Sequence, residues 1–311
     1  MRRTALAATA AAAALIACAQ TTALAATPTP TPPSTAGTAV NHTSEAKLDA
    51  YWTPQRLAKA KPLDAPAKAP SAKAPRSSDT AHGKPTLIPA TKPSTKTVNS
   101  AAAASVWGTT GRLVFTVPGQ GDYICTANVV TSNNHDVIST GRHCVIDIGT
   151  HRTFTNFRFA PGYDRGNAPH GWWNWRSMGW REDDTSPGGD NAFIVLSTGG
   201  NTGQHVQDVV GGSGIGFNWA TNNYAHAIGI PGDKDYAVWC EGMPYDSNQG
   251  GVSLRNCNGL SGGASGGPFL VNYQNDGSAV QTGSYFGSWG DAYWAYYRDA
   301  AWQVFNGAQN A

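Results

Sequence analysis

Residues 262–269 read Gly-Gly-Ala-Ser-Gly-Gly-Pro-Phe, and this stretch indicates both the fold and the chemistry of the chain. Its single hydroxyl, on Ser265, lies among glycines that leave the backbone open to a bound molecule. Gly263 and Ser265 can direct their N–H groups towards one negatively charged oxygen, where losing a donor typically costs about 2.7–4 kcal/mol of transition-state stabilisation. We therefore take Ser265 as the candidate nucleophile, and the Gly263 and Ser265 amides as the candidate oxyanion hole.

A serine hydroxyl is a weak nucleophile near neutral pH, so the sequence must also supply a base and a group that orients it. Two further strings provide these groups: Thr-Gly-Arg-His-Cys at 140–144 and Gly-Gly-Asp-Asn-Ala-Phe-Ile at 188–194. A histidine beside a cysteine is usually structural, and an aspartate before an apolar strand is usually a cap. The three strings together nevertheless predict His143 as the base, Asp190 as its partner and Ser265 as the nucleophile.

The order of these residues along the chain separates two kinds of serine hydrolase. Gly-x-Ser-x-Gly also occurs in α/β-hydrolases, where the histidine follows the serine. The last histidine in this chain is His226, which precedes Ser265. The order His143, Asp190, Ser265 is instead found in a class of hydrolases built from β-barrels.

The chain around these strings is predicted to be all-β. Charged residues make up only 14% of it and glycine occurs 36 times, which argues against a helical bundle. Short apolar or alternating runs recur beside turn residues. They include 113–117, 123–130, 136–140, 193–196, 224–230, 236–241, 269–273 and 279–286. Only the end, about residues 292–306, has helical spacing, so we expect barrels or a sandwich followed by one helix.

The formal charge of +2 hides two parts of opposite sign. Residues 26–104 carry ten basic and four acidic side chains, whereas residues 105–311 carry ten basic and sixteen acidic ones. A general nucleic-acid-binding protein needs a basic face, which argues against that function for residues 105–311.

The first 25 residues have the features of a signal peptide. Met1-Arg2-Arg3 is a cationic start, residues 4–17 are small and apolar, and Ala23-Leu24-Ala25 is a small–x–small cleavage site. An alternative is a lipobox at residues 15–18, which would make Cys18 a lipid-anchored N-terminus. Because no other run approaches 18 apolar residues, we predict an exported protein with no membrane span.

Residues 26–104 are predicted to be a prosegment or linker. They are rich in Ala, Pro, Lys and Thr and bury too little apolar surface to offset their ordering entropy, which predicts disorder. One island, residues 48–57 with the following Leu63, has apolar residues that would dock on residues 105–311, the chain's own partner of opposite charge. The alternatives are a propeptide that shields or helps to fold the domain, and a passive spacer. The propeptide hypothesis predicts a mature N-terminus near residues 100–106.

The cysteines fit an exported domain. With Cys18 set aside, four remain, and sequence alone allows three pairings of them. Neighbour pairing closes loops of about 20 residues and contributes roughly 3 kcal/mol for each bond. A zinc site is the alternative, but the zinc-ligand spacing is missing, so we expect disulfides and no metal. The four cysteines are Cys125, Cys144, Cys240 and Cys257.

The strings around His143, Asp190 and Ser265 resemble those of the chymotrypsin-like (trypsin-like) serine proteases, especially the secreted actinobacterial branch related to bacterial glutamyl endopeptidases. The resemblance spans about residues 105–306. It implies two six-stranded antiparallel β-barrels, the first at about 105–210 with His143 and Asp190, and the second at about 211–311 with Ser265. It also implies a Cys125–Cys144 bond that clamps the strand presenting His143.

Two residues depart from this family pattern. Arg142 stands where the family usually has a small residue, and we expect its side chain to point to solvent. Ala264 stands where trypsin-type enzymes have an aspartate that pairs with the freed N-terminus. Activation through that ion pair is therefore excluded, and a prosegment would control the enzyme by blocking or by assisting folding.

The substrate pocket is the least defined part of the prediction. Gly259 lies six residues before Ser265, where trypsin-type enzymes have a carboxylate. Tyr285, Phe286 and Trp289 are candidates for a pocket wall, with core packing as the alternative for them. No histidine follows Ser265, which lowers a preference for glutamate, so an apolar or aromatic preference is favoured.

These features predict a secreted, extracellular serine endopeptidase that acts on proteins or peptides, uses no cofactor and is a monomer. The alternative is a non-catalytic, protease-like binding module of the cell envelope. That module would use a tryptophan-rich stretch, for which packing inside the first barrel is the other interpretation. A protease-like esterase is a third option, because the same acyl chemistry cleaves esters. The tryptophans are Trp172, Trp173, Trp175 and Trp180.

Overall fold

Two β-sheets and a C-terminal helix make up most of the computed structural model, which describes residues 36–63, 83–94, 105–182, 184–247 and 250–311. These residues belong to one unit by their contacts. The predicted signal peptide and the lipobox cysteine lie outside the described residues. Among those described, no helix has the length and apolarity to cross a membrane.

The described parts of residues 26–104, the predicted prosegment, contain five short elements. They are β1 (Ala36–Val40), α1 (Glu45–Tyr51), α2 (Pro54–Lys59), β2 (Lys61–Pro62) and β3 (Thr86–Ile88). Each of the three strands pairs with a strand of residues 105–311. These parts of the prosegment are therefore more ordered than their composition predicts, because their hydrogen bonds and apolar contacts come from the domain that follows.

The first sheet closes into a six-stranded antiparallel barrel. Its strands run in the order β4-β5-β6-β11-β10-β9, and β9 pairs back to β4. A short helix precedes the barrel, a two-stranded ribbon projects from it and a second short helix follows it. The elements are α3 (Val106–Thr109), β4 (Thr110–Val117), β5 (Gly121–Val129), β6 (Val137–Thr140), β7 (Ile146–Asp147), β8 (Arg152–Thr153), β9 (Thr155–Pro161), β10 (Trp173–Arg181), β11 (Ala192–Leu196) and α4 (Val206–Val210).

The second sheet is a half-barrel. It has the order β14-β13-β17-β18-β19-β16-β15, and β12 joins β18 in parallel. The elements are β12 (Gly214–Phe217), β13 (Ala225–Gly229), β14 (Val238–Gly242), β15 (Tyr245–Asp246), β16 (Gly251–Leu254), β17 (Pro268–Val271), β18 (Val280–Trp289), β19 (Asp291–Tyr296) and α5 (Asp299–Gln309). The all-β class with a terminal helix is confirmed, and the second sheet is less closed than the resemblance implied.

The terminal helix begins later than its spacing predicted. Residues 291–296 form strand β19, which pairs with β18 on one side and β16 on the other. Tyr293 and Tyr296 repeat at a spacing that also fits a helix, but both side chains are buried in the half-barrel. Tertiary burial therefore decides the structure of this segment.

Candidate active site

Pairing between β6 and β11 brings the predicted base and its partner together. Thr140 lies opposite Ala192 in this pairing, so the turns after β6 and before β11 meet at one end of the barrel. The His143 Nδ1 atom lies 2.7 Å from Asp190 Oδ2, and the His143 backbone N–H donates to Asp190 Oδ1 at 2.9 Å. Both side chains are buried. The carboxylate thus fixes the imidazole orientation and leaves Nε2 for the reacting group.

The loop that carries Ser265 lies against this end of the barrel. Gly266 has φ +81°, and a Cβ atom there would lie 2.1 Å from Thr140 Oγ1 and 2.3 Å from the Thr126 carbonyl oxygen. Only glycine permits this approach, and it holds Ser265 beside the strand that leads to His143. The structure therefore brings the serine and histidine segments together, although it shows no hydrogen bond between Ser265 Oγ and His143.

The Ser265 hydroxyl has a different partner. It donates to the backbone carbonyl oxygen of Leu63, a prosegment residue, over 3.4 Å. The only polar contact of His143 Nε2 within the described residues is with Cys144 Sγ, at 3.7 Å. The serine is thus bound to the prosegment and not to its predicted base.

The predicted oxyanion donors have no hydrogen-bond acceptor among the residues that the structure describes. Within the described residues, neither the Gly263 N–H nor the Ser265 N–H donates to another protein group. Gly263 has φ +91°, and its carbonyl accepts a hydrogen bond from Thr126 Oγ1 at 2.9 Å. That bond fixes the orientation of the Gly263 carbonyl, the Ala264 N–H donates to the Ser261 carbonyl, and the Gly263 and Ser265 N–H groups remain for a ligand.

Thr126 is a residue of the site that sequence reasoning missed. Its backbone N–H donates to the Ser265 carbonyl at 2.7 Å, and its hydroxyl accepts from the Ile230 N–H at 2.9 Å while donating to Gly263. The side chain is fully buried. In the sequence it is one threonine of an apolar strand, and only its place after Cys125 hints at a role.

The expectation that Arg142 points to solvent is wrong. Its side chain is 2% exposed and donates to the backbone carbonyls of Arg181, Asp184 and Ser186. Burial lowers the pKa of Arg142, and the nearby Asp190 and Asp184 charges oppose that shift. The long side chain reaches the carbonyls of the loop that leads to Asp190, so Arg142 connects the turn of His143 to the loop before Asp190.

Arg112 is a second buried arginine that the sequence did not single out. It donates to the Ile230 carbonyl at 2.6 Å and to Asp235 Oδ1 at 3.0 Å, which joins β4 to the loop after β13. Burial lowers the pKa of Arg112, and the Asp235 charge opposes this. The Ile230 loop packs against Gly263, so Arg112 supports the oxyanion loop from the first sheet.

The candidate pocket residues separate into two groups. The Phe286 ring lies edge-on to His143, with 5.4 Å between ring centroids, and contacts the half-buried Trp289. Tyr285 packs in the half-barrel core against Trp294, and its hydroxyl approaches the carbonyl of Leu260, next to Gly259. The structure therefore places Phe286 beside His143, the predicted base, whereas Tyr285 packs in the core.

Both neighbour pairings of the cysteines are confirmed. Cys125 bonds to Cys144, beside His143, and Cys240 bonds to Cys257. Among the described residues, Cys125, Cys144 and His143 form the only cluster dense enough in ligand atoms for a metal. Both sulfurs of that cluster are used in the disulfide, and His143 is held by Asp190.

The tryptophan-rich stretch is packed inside the first barrel. Trp173, Trp175 and Trp180 are at most 5% exposed. Only Trp172 lies partly at the surface, where it meets Tyr163 and Arg158. The packing interpretation is therefore the correct one for these three residues.

No family model and no curated protein sequence matches this chain. Solved structures do. A thermostable serine protease, AL20, from an extremophilic microorganism is 29% identical with a TM-score of 0.60, over 67% of this chain and 99% of that one. The protease Anisep from Arthrobacter nicotinovorans is 27% identical with a TM-score of 0.58, over 66% and 96%. A Glu endopeptidase in complex with MPD shares the fold alone, at 16% identity and a TM-score of 0.53, over 72% and 98%.

The two sheets and the similar structures show a chymotrypsin-like fold. The predicted resemblance to chymotrypsin-like serine proteases is confirmed, and the serine proteases among the similar structures support a protease function. The closer resemblance to the secreted actinobacterial branch of these proteases stays a prediction.

Proposed function

We propose that this protein is a secreted serine endopeptidase with the catalytic residues Ser265, His143 and Asp190. The observation that carries the proposal is the buried His143–Asp190 pair at the end of the barrel against which the Ser265 loop packs. The 29% and 27% identity to two proteases supports it. The two disulfides and the predicted signal peptide support secretion.

The proposed mechanism uses only groups of this chain. His143 Nε2 removes the Ser265 proton as the oxygen attacks the substrate carbonyl carbon, and Asp190 stabilises the imidazolium. The Gly263 and Ser265 amides bind the resulting oxyanion. His143 then protonates the leaving amine, which gives an acyl-enzyme on Ser265. Water, deprotonated by His143, attacks the acyl carbon, and the acid is released as the serine regains its proton.

We propose an apolar or aromatic preference at the pocket, with Phe286 and Trp289 as wall residues. Phe286 supports this because its ring lies against His143, where a bound side chain would pass. One similar structure is a Glu endopeptidase, but the absence of a histidine after Ser265 argues against the same preference here. The binding-module alternative is weakened because three of its four tryptophans are buried.

The test is the intact mass of protein recovered from the culture medium after treatment with a fluorophosphonate. We expect one adduct on the native protein and none on Ser265→Ala. Ser261→Ala is the matched control, because Ser261 lies in the same loop and bonds instead to Asp233. An unlabelled native protein with both disulfides formed and its N-terminus processed would contradict the proposal. Parallel assays on peptide and ester substrates would separate an endopeptidase from an esterase.

A further inference from the structure

The prosegment is anchored on the first barrel by two buried apolar side chains. Leu48 of α1 is fully buried within the barrel's core cluster. Trp52 is 4% exposed, packs with Val114 and Ile124, and donates from Nε1 to the Asn156 carbonyl at 2.6 Å. These contacts give the prosegment a defined position on the barrel and exclude a passive spacer for this stretch.

Polar contacts then fix the position of the prosegment along β5. The Tyr51 hydroxyl and the Arg56 guanidinium both donate to the Asp122 carboxylate, each at 2.7 Å. Arg56 also lies over the Tyr51 ring, 3.9 Å from its centroid. Asp122 is two residues before Ile124 on β5. The contacts of Tyr51 and Arg56 with Asp122 therefore position the following residues, 61–63, beside Ile124.

The chain then forms β2 and reaches the nucleophile. Lys61 and Pro62 pair in parallel with Tyr123 and Ile124, and the Leu63 N–H donates to the Ile124 carbonyl at 3.1 Å. On the other side Pro62 contacts Gly232, where a Cβ atom would lie 2.3 Å from the proline ring. Gly232 donates in turn to the Gly262 carbonyl of the oxyanion loop. Residues 61–63 therefore lie in a groove between β5 and the nucleophile loop.

The hydrogen bond between Ser265 and Leu63, at the end of this groove, explains how the prosegment keeps the proposed nucleophile inactive. The Ser265 hydroxyl donates to the Leu63 carbonyl, so its hydrogen is not directed at His143 Nε2. A serine that is not hydrogen-bonded to its base is not activated. Ser265 is 2% exposed and His143 is 5% exposed, so a substrate cannot approach while residues 61–63 are bound.

We propose that residues 44–63 are a built-in inhibitor, which docks through Leu48, Trp52 and Arg56 and closes the nucleophile with residues 61–63. This deepens the proposed function and rests on it, since it supplies the regulation of the same site. Ala264 fits this mode of control, because no aspartate is present there to receive a freed N-terminus. Activation then requires departure of the segment from β5.

The test measures access to position 265 without relying on catalysis. The full chain carries Ser265→Cys in a Cys18→Ala background, and its alkylation by iodoacetamide is timed under native conditions. Trp52→Ala removes a buried aromatic anchor, so we expect the thiol to react at least about tenfold faster than in the parent. Arg56→Ala, at a half-exposed side chain, accelerates it less and does not endanger folding. Leu87→Ser is the control, since this exposed prosegment residue on β3 is outside the groove.

A parent thiol that reacts as fast as in the Trp52→Ala and Arg56→Ala variants would overturn the proposal. The same substitutions in a Ser265 background, treated with a fluorophosphonate, separate this result from a failure of the proposed function. An inactive Ser265 gives no adduct in any variant, while the order of thiol reactivities persists. A true protease without this inhibitor gives equal labelling in every variant.

Discussion

Thr126 shows how a residue without acid–base chemistry of its own supports the loop of the proposed nucleophile. Its hydroxyl accepts from the Ile230 N–H and donates to the Gly263 carbonyl, and its own N–H holds the Ser265 carbonyl. These three bonds connect β5 to both sides of the proposed oxyanion hole. Thr126 is therefore a positioning residue.

We expect Thr126→Val to lower kcat with little change in KM. Valine keeps the shape but leaves the Ile230 N–H and the Gly263 carbonyl without partners, each costing about 1–3 kcal/mol. The free Gly263 peptide then turns, so kcat falls by about 10–100-fold, which is less than the roughly 100–1000-fold cost of removing a donor because the Gly263 N–H is displaced and not lost. Steady-state kinetics on the processed enzyme measure this.

Two control variants distinguish a positioning role of the Thr126 hydroxyl from a general effect on stability. Thr126→Ser retains the hydroxyl and restores kcat. Thr109→Val removes another buried hydroxyl, one that bonds to Ser213 and Val106 away from the site, and affects stability only. An equal fall in kcat for Thr109→Val and Thr126→Val would show that Thr126 acts through general stability.

Sequence patterns predict the reactive residues but give no sign of the residues that hold them in place. His143, Asp190 and Ser265 stand in strings whose chemistry is local and readable. Thr126 and Arg142 act through backbone groups distant in the chain, such as Gly263 and the Arg181 carbonyl. No local pattern encodes such contacts. The sequence therefore predicts Arg142 in solvent, although its side chain is buried against distant backbone carbonyls.

At the scale of elements, the two disulfides close loops of similar length with different neighbours. Cys125 on β5 is joined to Cys144, directly after His143, with a sequence separation of 19. Cys240 on β14 is joined to Cys257 with a separation of 17. The first bond links β5, the barrel strand that pairs with β2, to the turn that contains His143, while the second links β14 to the segment after β16.

Replacing each pair by serines is expected to reduce the free energy of unfolding by roughly 3 kcal/mol, since the closed loops are similar. Only Cys125→Ser with Cys144→Ser is expected to lower kcat as well, because it frees the turn that presents His143. Thermal unfolding and kinetics, measured where both variants are folded, test this. Equal losses of kcat in the two variants would count against a specific role of the first bond.

Strand and helix predictions succeeded where a segment's pattern and its burial agree. The runs at 113–117 and 193–196 are buried strands, as their apolar composition predicts. The helix prediction for residues 292–296 failed because these residues are buried without interruption on β19, and the tyrosines that pack there also repeat at a helical spacing. The closure of the first sheet and the openness of the second depend on long-range pairing, which element patterns do not contain.

At the scale of the whole molecule, the prosegment shares the core of the domain it precedes. Leu48 is fully buried among barrel residues such as Phe157 and Trp175. The composition of residues 26–104 predicts disorder because composition does not include the barrel surface against which residues 36–63 pack. The docking island itself was visible, as the only apolar cluster in that part of the chain.

We expect Leu48→Ala to loosen the prosegment by about 2–5 kcal/mol, the usual cost of truncating a buried leucine. Hydrogen exchange of the α1 and α2 amides in the full chain measures the free energy of local opening. Lys47→Ala is the matched control, since Lys47 is an exposed residue of the same helix. Unchanged amide protection in Leu48→Ala would show that Leu48 does not anchor the segment.

The prosegment strands also complete the backbone pairing of two sheets. Strand β1 occupies the side of β10 opposite β11 along residues 177–181, with Gly37 against the Trp180 ring, and β3 covers β12 along residues 215–217. Departure of the prosegment leaves five and three residues of unpaired strand edge and exposes an indole. Such edges attract strands from other chains, and short length is one way in which proteins limit this. By covering these strand edges, the prosegment also protects the protein against aggregation. After its release, we expect the protein to stay soluble best at low protein concentration.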